Sequence, residues 1–177
     1  MKNVSDPVIS LNGTWKLNLE PENNFWKAVR EIGVEWKEIT VPGECMMQGF
    51  SIKHDIPFVY AKELFIPADY ADKIVILRFE GVYSYARVWI NGAYIRDHSG
   101  GFTAWDCDIT SVVTPGKSAL LMIEVTDKAD EISYASGYAK HQIGGILRNV
   151  SLLALPAGYP EQLVITTDLD DKYSNAT

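Results

Sequence analysis

Acidic side chains offer this sequence its widest chemistry. Hydrolysis of an acetal link between sugars needs two carboxylates, one to protonate the leaving oxygen and one to attack or to activate water, and the chain carries 23 Asp and Glu. No spacing selects a pair. Glu80, Asp106, Asp108 and Asp127 fall at the ends of expected strands, where a short carboxylate ordinarily forms a turn or caps a helix. Nucleophilic catalysis by serine would need a base oriented by a third group, and the sequence has no Gly-x-Ser-x-Gly elbow. His54, His98 and His141 stand singly, without the spacing of metal ligands, so no metal site is expected. The pairs Gly100-Gly101 and Gly144-Gly145 lack the strand–loop–helix setting of a phosphate cradle and read as tight turns. No cofactor is implied. Cys45 and Cys107 match no redox or metal spacing and are expected to be two separate buried thiols.

Aromatic residues are a second resource, because the C–H faces of sugar rings stack on Trp and Tyr while hydroxyls bond to amides, carboxylates and imidazoles. Trp105, Tyr134, Tyr138, His141 and Gln142 lie in loop-like segments with that mixture. Trp15, Phe79 and Trp89 occupy alternating positions and belong to the core.

These side chains must be held by strands. The 177 residues, 47% of them hydrophobic, suffice for one well-buried domain. A net charge of −7, with basic residues scattered, gives no field for nucleic acid. No run approaches the roughly 18 apolar residues of a membrane span, and Met1 to Pro7 shows no apolar leader core; the compartment stays open. Period-two alternation marks strands at Trp15–Leu19, Ile74–Phe79, Ala86–Ile90, Leu120–Val125 and Val150–Leu155. Asn91-Gly92 tolerates the two positive φ values of a type I′ turn, so Arg87–Ile90 and Ala93–Arg96 form a hairpin. Helical signals are limited to a short segment starting at Asn23-Asn24, with Phe25, Trp26, Val29 and Ile32, and to a single turn over Asp108–Val113 ended by Pro115. Strands without intervening helices predict an all-β fold, an antiparallel β-sandwich or jelly roll with at most one or two short helices. Pro156 to Pro160 reads as a stiff connector, and Gln162–Thr167 as a fresh strand beyond it.

Several short motifs occur in a set order: Leu11-Asn12-Gly13-Thr14-Trp15, Val41-Pro42-Gly43, Phe79-Glu80-Gly81-Val82, Val88-Trp89-Ile90-Asn91-Gly92, His98-Ser99-Gly100-Gly101-Phe102-Thr103, Asp108-Ile109-Thr110 and Gly144-Gly145-Ile146-Leu147-Arg148-Asn149-Val150. The series resembles the N-terminal sugar-binding domain of glycoside hydrolase family 2, which includes β-galactosidases, β-glucuronidases and β-mannosidases. The resemblance implies a galactose-binding-like jelly roll over 1–157, with 158–177 as a linker and the first strand of an immunoglobulin-like domain. A TIM barrel carrying both catalytic carboxylates would follow.

On that resemblance the domain is non-catalytic, packs on the barrel and lends loops to the rim of the sugar pocket. Its partners are then carbohydrate and the following domains, with no nucleic acid and no membrane. The rim candidates are His54 and Asp55, in the loop before Tyr60, and Tyr138, His141 and Gln142, before the second glycine pair. Many β-galactosidases of the family carry an acidic residue in the second stretch; here Ala139 stands near that place and Ser136 to Gln142 holds no carboxylate, so the sugar stays unnamed. Asn91, Gly92, Gly100, Gly101, Gly144, Gly145 and Arg148 are expected to be structural. A stand-alone carbohydrate-binding module and a protein-interaction sandwich without sugar affinity are the competing readings.

Overall fold

The computed structural model describes residues 4–27, 36–128, 143–160, 163–168 and 171–173. Twelve strands occur among them: β1 (Val8–Ser10), β2 (Gly13–Asn18), β3 (Lys37–Val41), β4 (Phe58–Phe65), β5 (Lys73–Phe79), β6 (Val82–Tyr83), β7 (Tyr85–Ile90), β8 (Ala93–Ser99), β9 (Trp105–Asp108), β10 (Ser118–Thr126), β11 (Gly145–Ile146) and β12 (Val150–Pro156). They form a four-stranded sheet in the order β1-β12-β5-β9, a six-stranded sheet in the order β3-β2-β4-β10-β7-β8, and a small ladder of β11 with β6. Every pairing is antiparallel. The chain is an all-β sandwich, as the alternation predicts.

Alternation decides which side chains meet. Ala119, Leu121, Ile123 and Val125 of β10 and Ala86, Val88 and Ile90 of β7 point inward, where they join Val75, Leu77 and Phe79 of β5 and Val150, Leu152 and Ala154 of β12 in one core. Burying each larger apolar side chain there contributes about 1.5–3 kcal/mol. Trp15, 1% exposed, anchors one end of the core and donates its indole N–H to the Leu11 carbonyl at 2.8 Å. Trp89 is also buried, but it faces away from the main core: with Phe25, Val59, Ala61 and Met122 it forms a second cluster on the outer side of the six-stranded sheet.

The Asn91-Gly92 hairpin joins β7 to β8, with φ of 50° and 83° at the two turn residues and Ile90 paired to Ala93. A bulge between Val88 and Trp89 shifts the register beyond it. Of the two expected helical segments, the second appears as one 3-10 turn, Thr110–Val112; the described part of the first is a 3-10 turn at Phe25–Lys27, and Val29 and Ile32 lie outside the described residues. Asp108 forms an Asx-type turn just ahead of the second 3-10 turn, its Oδ1 accepting from the Thr110 amide at 2.9 Å and hydroxyl at 2.6 Å. Two more such turns, Met46–Gln48 and Ala68–Tyr70, carried no periodic signal because three residues are too few to show one. Of the strand expected at Gln162–Thr167, Gln162 lies outside the described residues. Residues 163–168 take no regular structure, and Leu163, Val164 and Ile165 are exposed, as a strand-forming sequence is without a neighbouring strand to bond.

Candidate functional site

The candidate rim lies where β4 begins and β10 ends. Phe58 pairs with Val125, so residues 53–57 hang beyond the ladder next to Asp127. There the Asp55 amide donates to the Asp127 carbonyl at 2.8 Å, and His54 Nδ1 lies 2.6 Å from Asp127 Oδ2. The Asp127 side chain is 0% exposed and that of His54 is 38% exposed, so a buried carboxylate lies against an imidazole at the surface. Asp55 takes φ of 61°, a left-handed conformation that Asp adopts more readily than most residues, and its side chain is exposed. The structure thus brings His54 and Asp55 together on one anchored loop.

Asp127 itself is fixed from both flanks. Buried Ser84 bonds through its backbone amide and its hydroxyl to the Thr126 carbonyl, both at 3.3 Å, while its Oγ accepts the Lys128 amide at 2.8 Å. The Ser84 carbonyl accepts the Gly100 amide at 2.8 Å, which ties the end of β8 into the same corner. Asp127 was expected to be a turn or cap residue; instead it is buried and anchors the His54-Asp55 loop. The signal that could have shown this is its place immediately after the fully apolar inward positions of β10, where the chain has not yet left the core.

Beside the loop, on the outer face of the six-stranded sheet, is a groove of about 490 Å³ that includes Asp55, Tyr85, Arg87, Glu124 and Lys128 in its lining. Arg87 donates from Nε at 2.8 Å and from Nη2 to Oε1 of Glu124, its cross-strand partner. Tyr85 donates its hydroxyl to Asp97 at 2.8 Å; burial first, and then that bond, push its pKa up to about 12, and the same bond holds the Asp97 carboxyl below the usual range.

Trp105 does not fit the sugar-stacking role that its loop-like neighbourhood suggested. It is 6% exposed on β9 and stacked between Phe79, centroids 4.5 Å apart, and His98, at 4.7 Å. Residues 105–108 read Trp-Asp-Cys-Asp, whose alternation places Trp105 and Cys107 in the core and the two carboxylates outside. Asp106 forms a bidentate pair with Arg78, at 2.8 and 2.7 Å. Tyr134, Tyr138, His141 and Gln142 lie outside the described residues. Among the described residues, no group of three His, Cys, Asp or Glu is arranged to hold a metal ion. Cys45 and Cys107 are free and buried, and burial pushes both thiols up to about 12; Cys45 Sγ lies 3.0 Å from the Tyr60 hydroxyl.

The ordered motifs converge on a structural seam. A Cβ at Gly145, φ +124°, would lie 2.5 Å from Tyr60 Oη, and one at Gly101 would lie 2.1 Å from Tyr83 Cδ2. Arg148 donates to the Phe102 carbonyl at 3.2 Å and lays its stem beside Gly81. Asn149 donates to Glu80 at 2.9 Å and accepts from Asn12 at 2.9 Å, while Asn12 Oδ1 accepts the Val150 amide at 3.0 Å. Glu80 is therefore a network member that joins the first, third and seventh motifs across the molecule.

The family model described as "Glycosyl hydrolases family 2, sugar binding domain" matches residues 8–156, from the first residue of β1 to the last of β12. The chain belongs to glycosyl hydrolase family 2. This family 2 domain is 29% identical over 153 residues to a β-galactosidase of Thermoanaerobacterium thermosulfurigenes, a match covering 82% of this chain and 21% of that protein. It is 25% identical over 198 residues to the β-glucuronidase of Rattus norvegicus, with 90% and 30% covered. Among solved structures, Faecalibacterium prausnitzii β-glucuronidase has a TM-score of 0.67 at 26% identity, covering 86% of this chain and 32% of that one. A Ruminococcus gnavus β-glucuronidase in complex with D-glucaro 1,5-lactone has a TM-score of 0.69 at 26% identity, with 85% and 29% covered. The chain thus spans between 21% and 32% of the length of these relatives.

Proposed function

We propose that this chain is the non-catalytic N-terminal domain of a family 2 glycosidase, which packs on the catalytic barrel and supplies the His54-Asp55 loop to the rim of the sugar pocket. The observation that carries the reading is the anchoring of that loop by buried Asp127, with an imidazole and a carboxylate displayed side by side on a backbone tied at 2.8 Å. Exposed groups of this kind gain binding energy only when held in place beforehand, because ordering a mobile loop costs free energy at the moment of binding. In the parent, hydrolysis is carried out by carboxylates of the barrel, and this domain orients the sugar against them. Residues 158–177 are the connector to an immunoglobulin-like domain, and exposed Leu163, Val164 and Ile165 pair with its strands.

The test is an assay of the 177-residue chain and of the full polypeptide on chromogenic galactosides and glucuronides. The expected result is turnover by the full polypeptide and none by this chain. Turnover by the chain alone would contradict the reading.

A further inference from the structure

The groove on the outer face of the six-stranded sheet begins at the rim loop, with Asp55 on its wall, and runs over β10 and β7. At its floor Arg87 and Glu124 face each other in register. Glu124 is 5% exposed, an unusual depth for a carboxylate on the outside of a sheet, while the Arg87 side chain is 42% exposed. Both Arg87 bonds to this carboxylate, from Nε and from Nη2, go to the one oxygen Oε1. Among the described residues, the bonds between the two side chains leave Arg87 Nη1 and Glu124 Oε2 unused. The ion pair thus carries both a donor, Arg87 Nη1, and an acceptor, Glu124 Oε2, a combination that two neighbouring hydroxyls of a sugar ring complement, one accepting from Nη1 and the other donating to Oε2.

We propose that this groove is a saccharide subsite continuous with the rim, taking a neutral sugar unit through a vicinal diol. Among the described lining residues the charges balance, Arg87 and Lys128 against Asp55 and Glu124, so these residues give a sugar carboxylate no net attraction. Its volume, about 490 Å³, lies within the range of small-molecule sites. A floor made of charged residues is unlike the centre of a protein–protein interface, where such residues are depleted. Tyr85 forms one wall, its orientation fixed by the bond to Asp97. The inference rests on the carbohydrate reading of the domain but concerns a surface that the rim role does not require.

The experiment is an NMR titration of the 177-residue chain with lactose and, separately, with glucuronate, following backbone amides and the Arg87 Nε–H. The proposal expects saturable shifts at Arg87, Glu124 and Thr126 with lactose, at ~1 mM affinity, and weaker binding of glucuronate. The paired replacement Arg87→Met with Glu124→Leu removes donor and acceptor together, leaves no lone buried charge, and is expected to weaken lactose at least about tenfold. Shifts confined to residues 53–57 would overturn the groove and leave the rim role standing. Absence of shifts at the groove, or equal binding by the paired variant, would also overturn it. The rim role itself is decided separately by the kinetics of the full polypeptide.

Discussion

Replacing Gly145 by alanine perturbs the second glycine pair where the backbone and its surroundings both object. Its φ of +124° is one that L side chains rarely adopt, and the added Cβ would lie 2.5 Å from Tyr60 Oη, 3.2 Å from Cys45 Sγ and 3.2 Å from the Gly43 carbonyl oxygen. Tyr60 has no room to withdraw, being 0% exposed and tilted against Phe58 with ring centroids 5.9 Å apart. Backbone strain costs about 1–3 kcal/mol and overpacking about 1–3 kcal/mol more, against a total stability of about 5–15 kcal/mol for a domain. With a urea m-value of ~2 kcal/mol/M, the unfolding midpoint should fall by about 1–3 M. Two further glycines separate the causes. Gly116→Ala meets only Ala68 Cβ at 3.8 Å but keeps φ of +80°, so strain alone should cost about 1–3 kcal/mol. Gly158→Ala meets nothing within 4 Å and should stay within ~0.5 kcal/mol. A Gly145→Ala midpoint within ~0.3 M of the parent chain would refute the seam as described.

Three further outcomes follow from burial and from the corner at Asp127. Both thiols should resist a disulfide reagent at pH ~8 in the folded chain and react fully in denaturant; zero titratable thiols there would show a disulfide instead. Because burial raises both thiols from 9.0 to about 12, the folded chain holds their protons more tightly than the unfolded one. That contribution to stability is complete below about pH 9 and lost as pH rises toward about 12, so melting temperatures should fall over that window, and a flat profile would contradict the assignment. Asp127→Ala removes the carboxylate beside His54 and should destabilise the chain by about 1–3 kcal/mol in a chemical melt; an unchanged midpoint would show that the corner is held without it.

The hairpin was the clearest structural statement in the sequence because Asn91-Gly92 is both a turn signal and a register signal, and β5 and β12 were visible as apolar runs. The longest stretch of β4, Phe58-Val59-Tyr60-Ala61, was harder to read. It is buried on both faces, against the main core and against the outer aromatic cluster, so its alternation is masked. Trp105 illustrates the opposite problem: a short edge strand following a glycine loop looks like loop until Cys107 and the two flanking aspartates are read as one alternating unit. The choice of His54 and Asp55 as rim candidates came only from the family resemblance. For Asp127 the sequence offered only its inward place after the apolar positions of β10, because its partner lies 73 positions away in the chain, at the far end of a strand pairing. Arg87 and Glu124 were invisible for the same reason, since cross-strand register is a property of the folded sheet.

The central claim is that the His54-Asp55 loop serves a sugar pocket that the rest of the polypeptide completes. Steady-state kinetics of the full polypeptide with Asp55→Asn test it most directly, since Asp55 is exposed and Asn removes the charge while keeping the left-handed backbone at φ 61°. The account predicts a fall in kcat/KM of about tenfold or more, with the melting temperature unchanged. An unaltered kcat/KM would contradict it.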